Sequence, residues 1–288
     1  MNFACPVKLF FLFNRGVFVV KNKMQKNYNE GSKRIIHNVK AEILYGFHPV
    51  SEALNASRRT IHEIYIAEQK KSSRVEQIAL AAASKNLPIQ KVSPATMKTI
   101  AGNVSHQGIA AKVTPYPLAD VAVLMDRALS GHRPALILLL DNMVDPHNLG
   151  AILRTAVGAG VDGVIIPKDR SAFPTPAVSK ISSGALEYIC LAQVNNMVRT
   201  VQMLKDRGLW IVGLDQHAAD SIFSADLTVA MGLIIGGEEK GIRPLVRKTC
   251  DCLISIPQMG KVGSLNASVA GAIVMYESYR QRWVINNA

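Results

Sequence analysis

The 288-residue chain carries 33 Lys and Arg against 21 Asp and Glu, a formal net charge of +12 and a sequence pI near 9.6. A hydrophobic content of 49% excludes a mainly disordered chain, and no apolar run reaches the ~18 residues of a membrane span. The length suits two domains of roughly 150 residues each, and the excess of cations points to a polyanionic partner. The four cysteines, Cys5, Cys190, Cys250 and Cys252, make no framework of staples. Cys250 and Cys252 lack metal-ligand spacing and no His follows His217, so they read as reduced thiols of a cytosolic protein, with no metal.

Residues 1–40 hold eight cations and one acid, residues 41–133 eleven and seven, and residues 134–288 fourteen and thirteen. The first segment reads as a disordered basic leader without a secretory cleavage site. An organelle-targeting peptide and a start at Met24 are alternative readings of it. From residue 41 short strands and helices alternate. Glu42–Gly46 reads as a strand, Pro49–Ala56 as a helix, Glu63–Ala67 as a strand, Arg74–Lys85 as a helix, Pro88–Val92 as a strand, Pro94–Ala101 as a helix and Gly108–Val113 as a strand. That makes residues 41–113 a small α/β domain. Prolines 115 and 117 open a linker over residues 114–133.

In residues 134–288 the apolar run Ala135–Leu140 suits a strand covered on both faces. A helix over Leu149–Val157 follows, then a strand Gly163–Pro167, a helix Ala177–Leu186, a strand Ile189–Val194, a helix Met197–Arg207 and a strand Trp210–Leu214. Leu227–Ile235 and Cys252–Pro257 read as two further strands, and Asn266–Arg282 as a long last helix. The alternation implies a parallel sheet with helices on both faces, whose ligands sit in the turns after strand C-termini.

Three such turns stand out. Asp141 to Arg154 follows a buried strand, with Asn148 placed to cap a helix and Arg154 six residues on, only partly on the same face. Gly236-Gly237-Glu238-Glu239-Lys240-Gly241 has neither the Lys-Ser/Thr of a P-loop nor the dinucleotide glycine pattern, and its two acids repel phosphate. Ile256-Pro257 leads through Ser264-Leu265-Asn266 to Ser268, entering the last helix at an Asn or Ser cap. Each alone is equally an ordinary strand–helix turn.

In this order the three resemble the SpoU (TrmH-type) class of RNA 2′-O-ribose methyltransferases: Asn148-Leu149-Gly150 with Arg154, then Gly236, Glu238 and Gly241, then Ile256-Pro257 and Ser264-Leu265-Asn266 with Ser268. Asp145-Pro146-His147-Asn148 and Pro167-Lys168-Asp169-Arg170-Ser171 are similar to the branch that methylates a guanosine ribose in 23S large-subunit rRNA. Tyr45-Gly46-Phe47-His48-Pro49-Val50 and His106-Gln107-Gly108-Ile109 resemble the start and end of that branch's substrate-binding domain, which has a small ribosomal-protein-like fold. The resemblance implies a parallel-sheet SPOUT domain with a deep trefoil knot, S-adenosyl-L-methionine held by Gly236, Ile256 and Leu265, and a homodimer using the last helix. It implies catalytic roles for Asn148, Arg154, Glu238 and Asn266. Arg154 reads as a fork for an RNA phosphate rather than a base, because a guanidinium does not give up its proton in a protein. Glu238 would orient Arg154 or Asn148. A tRNA ribose methyltransferase, a resistance-type rRNA methyltransferase and a catalytically silent RNA-binding assembly factor are the competing readings.

Overall fold

The structure, a computed structural model, describes residues 41–68, 72–260 and 264–287. The leader and Lys261–Gly263 of the third turn lie outside the described residues.

The first sheet has four strands, β1 (Glu42–Tyr45), β2 (Ile61–Ala67), β3 (Ile89–Val92) and β4 (Ile109–Val113), in the order β1-β4-β2-β3. Only the β2–β3 pair is parallel. Helices α1 (Phe47–Ala56), α2 (Ser73–Ser84) and α3 (Pro94–Ala101) cover it. Ser72 and Ser93 cap α2 and α3 by accepting from Val75 N and Thr96 N, which satisfies a backbone donor that a helix start leaves bare.

Residues 114–133, expected as a linker, instead carry helix α4 (Val121–Leu129), capped by Asp120. Its Leu124, Met125 and Ala128 are buried with the core of the second sheet. The prolines that suggested an exposed path mark only its approach.

The second sheet has seven strands in the order β7-β6-β5-β10-β8-β11-β9, and every adjacent pair is parallel. They are β5 (Leu136–Asp141), β6 (Gly163–Pro167), β7 (Leu191–Val194), β8 (Trp210–Leu214), β9 (Asp220–Ser221), β10 (Met231–Gly236) and β11 (Cys252–Ser255). The helices are α5 (Pro146–Gly158), α6 (Pro176–Ile181), α7 (Met197–Asp206), α8 (Pro244–Arg247) and α9 (Ala267–Asn287). The unbroken apolar run of β5 now has its reason. Leu136, Leu138 and Leu140 enter one core cluster with residues of α5 and α9, while Ile137 and Leu139 enter the other with α4 and α7, as side chains alternating across a doubly covered sheet must.

Several boundaries differ from expectation: strand β11 ends at Ser255 rather than Pro257 and helix α9 runs on to Asn287 rather than Arg282, and three further differences have a clear physical reason. The expected helix Ala177–Leu186 breaks after α6, because Ser183 and Gly184 adopt positive φ (54° and 84°) before a short 3-10 turn at Ala185–Glu187. Helix α5 starts three residues early, at Pro146, where a fixed φ and a missing N–H cost nothing. Strand β10 starts at Met231 rather than Leu227. The preceding carbonyls of Leu227 and Val229 instead accept from the Arg282 guanidinium, at 3.0 and 2.7 Å.

Candidate active site

Strands β5, β10, β8 and β11 lie side by side, so the turns leaving their C-terminal ends converge. In the first turn the helix cap is Asp145 rather than Asn148: its carboxylate accepts from His147 N (3.0 Å) and Asn148 N (3.2 Å). Asn148 sits inside the first turn of α5, buried, with its side-chain amide free for other partners.

The second turn folds back on itself. Gly236 pairs with Asp141 in register, Gly237 N donates to the Asp141 carbonyl (2.9 Å), and Gly241 N donates to the Gly237 carbonyl (2.9 Å). A Cβ on Gly236 would strike the Gly241 and Ile242 backbone, and one on Gly237 would strike the Asn142 carbonyl. These glycines are therefore required by the turn's own backbone packing. Asp141, fully buried, clamps the far end of the turn: its carboxylate accepts from Arg243 N and from Arg243 Nε, both at 2.8 Å. Residue order does not pair these two, which lie 102 positions apart. The signal was an acid closing an otherwise apolar strand.

In the third turn Asn266 is the cap of α9. Its Oδ1 accepts from Ser268 N (2.9 Å), Val269 N (3.2 Å) and Ser268 Oγ (2.5 Å). Its Nδ2 donates to Asn148 Oδ1 (3.0 Å) and also to Glu238 Oε1. Asn148 Nδ2 donates to the same Glu238 oxygen at 3.0 Å. Three residues from three distant turns thus close a triangle in which Glu238 orients Asn148.

Arg154 is not in that triangle. Among the described residues it makes no hydrogen bond or ion pair with Asn148, Glu238 or Asn266. It is exposed, and its Nη1 donates to Ser183 Oγ at 3.2 Å. The six-residue spacing carries it to the α6 side of α5, where Gly150 lets the helices meet. A Cβ on Gly150 would lie 2.6 Å from Ile181 Cγ2 and 3.3 Å from Ser182 N.

A cleft of about 900 Å3 opens beside the second turn. Gly236, Ile256 and Leu265 all line it, together with Leu214, Ile235 and Glu238. Its apolar walls suit a flat heterocycle, and its polar lining carries both signs, Asp215, Glu238 and Glu239 with Lys240, Arg247 and Lys248, as a ligand bearing both charges would need. Elsewhere, among the described residues, no group of three His, Cys, Asp or Glu could hold a metal ion. Burial pushes the Cys250 thiol up to about 11, against thiolate chemistry there.

Residues 135–276 match the SpoU rRNA methylase family, and residues 43–119 match the substrate-binding domain of RNA 2′-O ribose methyltransferases. The 23S rRNA (guanosine-2′-O-)-methyltransferase RlmB of Pseudomonas putida is 40% identical over 243 residues, spanning 84% of this chain and 98% of the relative. The chain belongs to the SpoU methylase family. RlmB of Ralstonia nicotianae is 39% identical over 85% of this chain and 98% of its own length. Among solved structures, the SpoU methyltransferase AviRb from Streptomyces viridochromogenes, in complex with the cofactor AdoMet, superimposes with a TM-score of 0.72 at 25% identity, over 84% of this chain and 91% of that one. The SpoU fold therefore extends across both described domains. No described helix is long and apolar enough to cross a membrane.

Proposed function

We propose that the protein transfers a methyl group from S-adenosyl-L-methionine to the ribose 2′-OH of a guanosine in 23S rRNA. What carries this reading is the Asn148–Glu238–Asn266 triangle beside the Gly236–Ile256–Leu265 cleft. It is supported by relatives of that activity matching nearly end to end.

The cleft fits the donor. Its volume lies within the usual range for small-molecule sites of roughly 300–1,000 Å3. Leu214, Ile235, Ile256 and Leu265 offer walls for the adenine, and the bare backbone at Gly236 lets main-chain groups approach. Bound there, the donor supplies an electrophilic methyl carbon, so the protein's task is to align the ribose and help its hydroxyl lose a proton. Asn148, Glu238 and Asn266 hold the turns in register. Arg154 is the fork that grips the neighbouring phosphate and stabilises the developing alkoxide.

Residues 41–113 grip the rRNA and residues 134–288 carry the chemistry. The protein works in the cytoplasm as a homodimer through α9, which exposes Val269, Tyr276, Tyr279, Trp283 and Val284, an apolar cluster of the kind that marks interfaces.

The deciding experiment maps ribose methylation on 23S rRNA in cells with and without the protein. A single guanosine site losing its methyl group is the expected result, and an unchanged map overturns the proposal.

A further inference from the structure

The turn between α6 and the 3-10 segment holds a residue in an uncommon conformation. Ser183 has φ 54°, the left-handed region that glycine occupies freely and other residues at a cost. Gly184, next to it, has φ 84°. Of the two neighbours only Ser183 keeps a side chain, and its hydroxyl accepts from Arg154 Nη1 at 3.2 Å. A strained position that retains a polar side chain directed at a functional group points to a use for that side chain.

The turn is held from both sides. Within it, Ser183 N donates to the Lys180 carbonyl (3.1 Å) and Gly184 N to the Ser179 carbonyl (2.8 Å). The Ser182 hydroxyl donates to the Ser179 carbonyl (3.1 Å) and accepts from Leu186 N (3.3 Å). From the other side the first domain closes over it. A Cβ on Gly184 would stand 2.9 Å from the His48 carbonyl and 2.6 Å from Glu52 Cγ. Tyr188 Oη donates to Glu52 Oε2 at 2.6 Å, and Lys180 Nζ to Gln107 Oε1 at 3.1 Å.

Beneath these contacts lies an ion pair with both side chains fully buried. Arg59 Nε donates to Glu187 Oε2 at 3.0 Å, while Ser179 Oγ donates to Glu187 Oε1 at 3.1 Å. Arg59 Nη1 reaches back to Glu42 in β1 at 2.8 Å. A buried pair of this kind is poor evidence of stability and better evidence of a specified geometry. A continuous set of contacts thus runs from β1 through Arg59, Glu187, Ser179 and the 182–184 turn to the Arg154 guanidinium.

We propose that Ser183 is the positioning residue for Arg154, and that the seating of residues 41–113 on the 182–184 turn sets its aim. An exposed Arg samples many rotamers. A fixed acceptor selects one, and the first domain's contacts with the 182–184 turn add to the turn's own hydrogen bonds in fixing that acceptor. This inference rests on the methyl-transfer reading of Arg154 given above.

The test uses the full chain, a 23S rRNA fragment and S-adenosyl-L-methionine. Ser183→Gly relieves the backbone and deletes the acceptor. Thermal stability should hold or rise, calorimetric affinity for the donor should stay unchanged, and kcat should fall roughly tenfold or more with KM for RNA within about twofold. Ser183→Asn tolerates positive φ and keeps an acceptor, so it should return kcat to within about threefold of wild type. Wild-type kcat in Ser183→Gly, or an equal loss in Ser183→Asn, overturns the assignment.

A second readout does not need catalysis. With 15N-labelled arginine, the Nε–H resonance of Arg154, assigned by its loss in Arg154→Lys, should shift in Ser183→Gly and be retained in Ser183→Asn. It should also shift in Arg59→Lys, which has one donor centre where Arg59 serves Glu187 through Nε and Glu42 through Nη1. If wild-type protein fails to methylate the RNA, the methyl-transfer reading falls and this resonance alone decides the positioning claim: identical spectra in every variant overturn it. A resonance that moves in Ser183→Gly and not in Arg59→Lys overturns the link to domain seating.

Discussion

Asn266 and Asn148 are 118 positions apart and joined by a hydrogen bond of 3.0 Å, given by the same Asn266 side chain whose oxygen caps the last helix. One amide performs both tasks because it is an acceptor at one end and a donor at the other. Asp or Ser would cap α9 equally well, and neither would supply the Nδ2 donor.

Asn266→Asp therefore separates capping from site geometry. The cap survives, so the melting temperature should stay near wild type, while a second carboxylate faces Glu238 and methyl transfer should fall at least about 100-fold. Asn266→Ala should lose the activity and also about 1 kcal/mol of stability. Denaturant titration beside a methyl-transfer assay distinguishes the two.

Arg154→Ala should cut transfer to rRNA by about 100-fold or more while donor binding, measured by calorimetry, stays unchanged. Arg154→Lys should restore little, since an ammonium cannot grip a phosphate with two parallel N–H bonds. Transfer near the wild-type rate in Arg154→Ala would show that the role is misassigned.

Gly150→Ala pits propensity against packing. Alanine favours a helix interior by roughly 1 kcal/mol over glycine. Here its Cβ would lie 2.6 Å from Ile181 Cγ2 and 2.7 Å from Ile181 Cβ. The collision should win, lowering stability by about 1–3 kcal/mol and displacing α6, and with it Ser183, from Arg154. An increase in stability together with full activity would refute the close α5–α6 contact.

Asp141→Asn removes the acceptor charge that holds Arg243 and places an NH2 group against its donors. With the carboxylate fully buried and the Arg243 side chain 34% exposed, the loss should be on the order of 2 kcal/mol. Because the second turn hangs between Asp141 and Arg243, affinity for the methyl donor should fall with it. Calorimetry checks this, and unchanged affinity would uncouple the clamp from the cleft.

Much of this was readable from residue order. The apolar run Ala135–Leu140 announced a doubly covered strand, and β/α alternation announced a parallel sheet, because periodicity and burial are local properties of a segment. The three polar turns stood out because glycines, acids and asparagines at strand ends need a reason. Residue order could not show which atoms meet. Asn148 reads as a helix cap until Asp145 is seen accepting both amides. Glu238 has two candidate partners until the sheet order β5-β10-β8-β11 brings Asn148 to it and leaves Arg154 on the α6 side of α5, bonded to Ser183. Helix α4 was hidden behind two prolines because nine residues carry little periodic signal without the sheet they cover. Ser183 carried no signal at all: its bond to Arg154 joins positions 29 apart and the Arg59–Glu187 pair beneath it joins positions 128 apart, and both exist only once the helices and the two domains are packed together. Local chemistry fixes the elements and the candidates, while partners at long range are chosen by the topology of the sheet and the seating of one domain on the other.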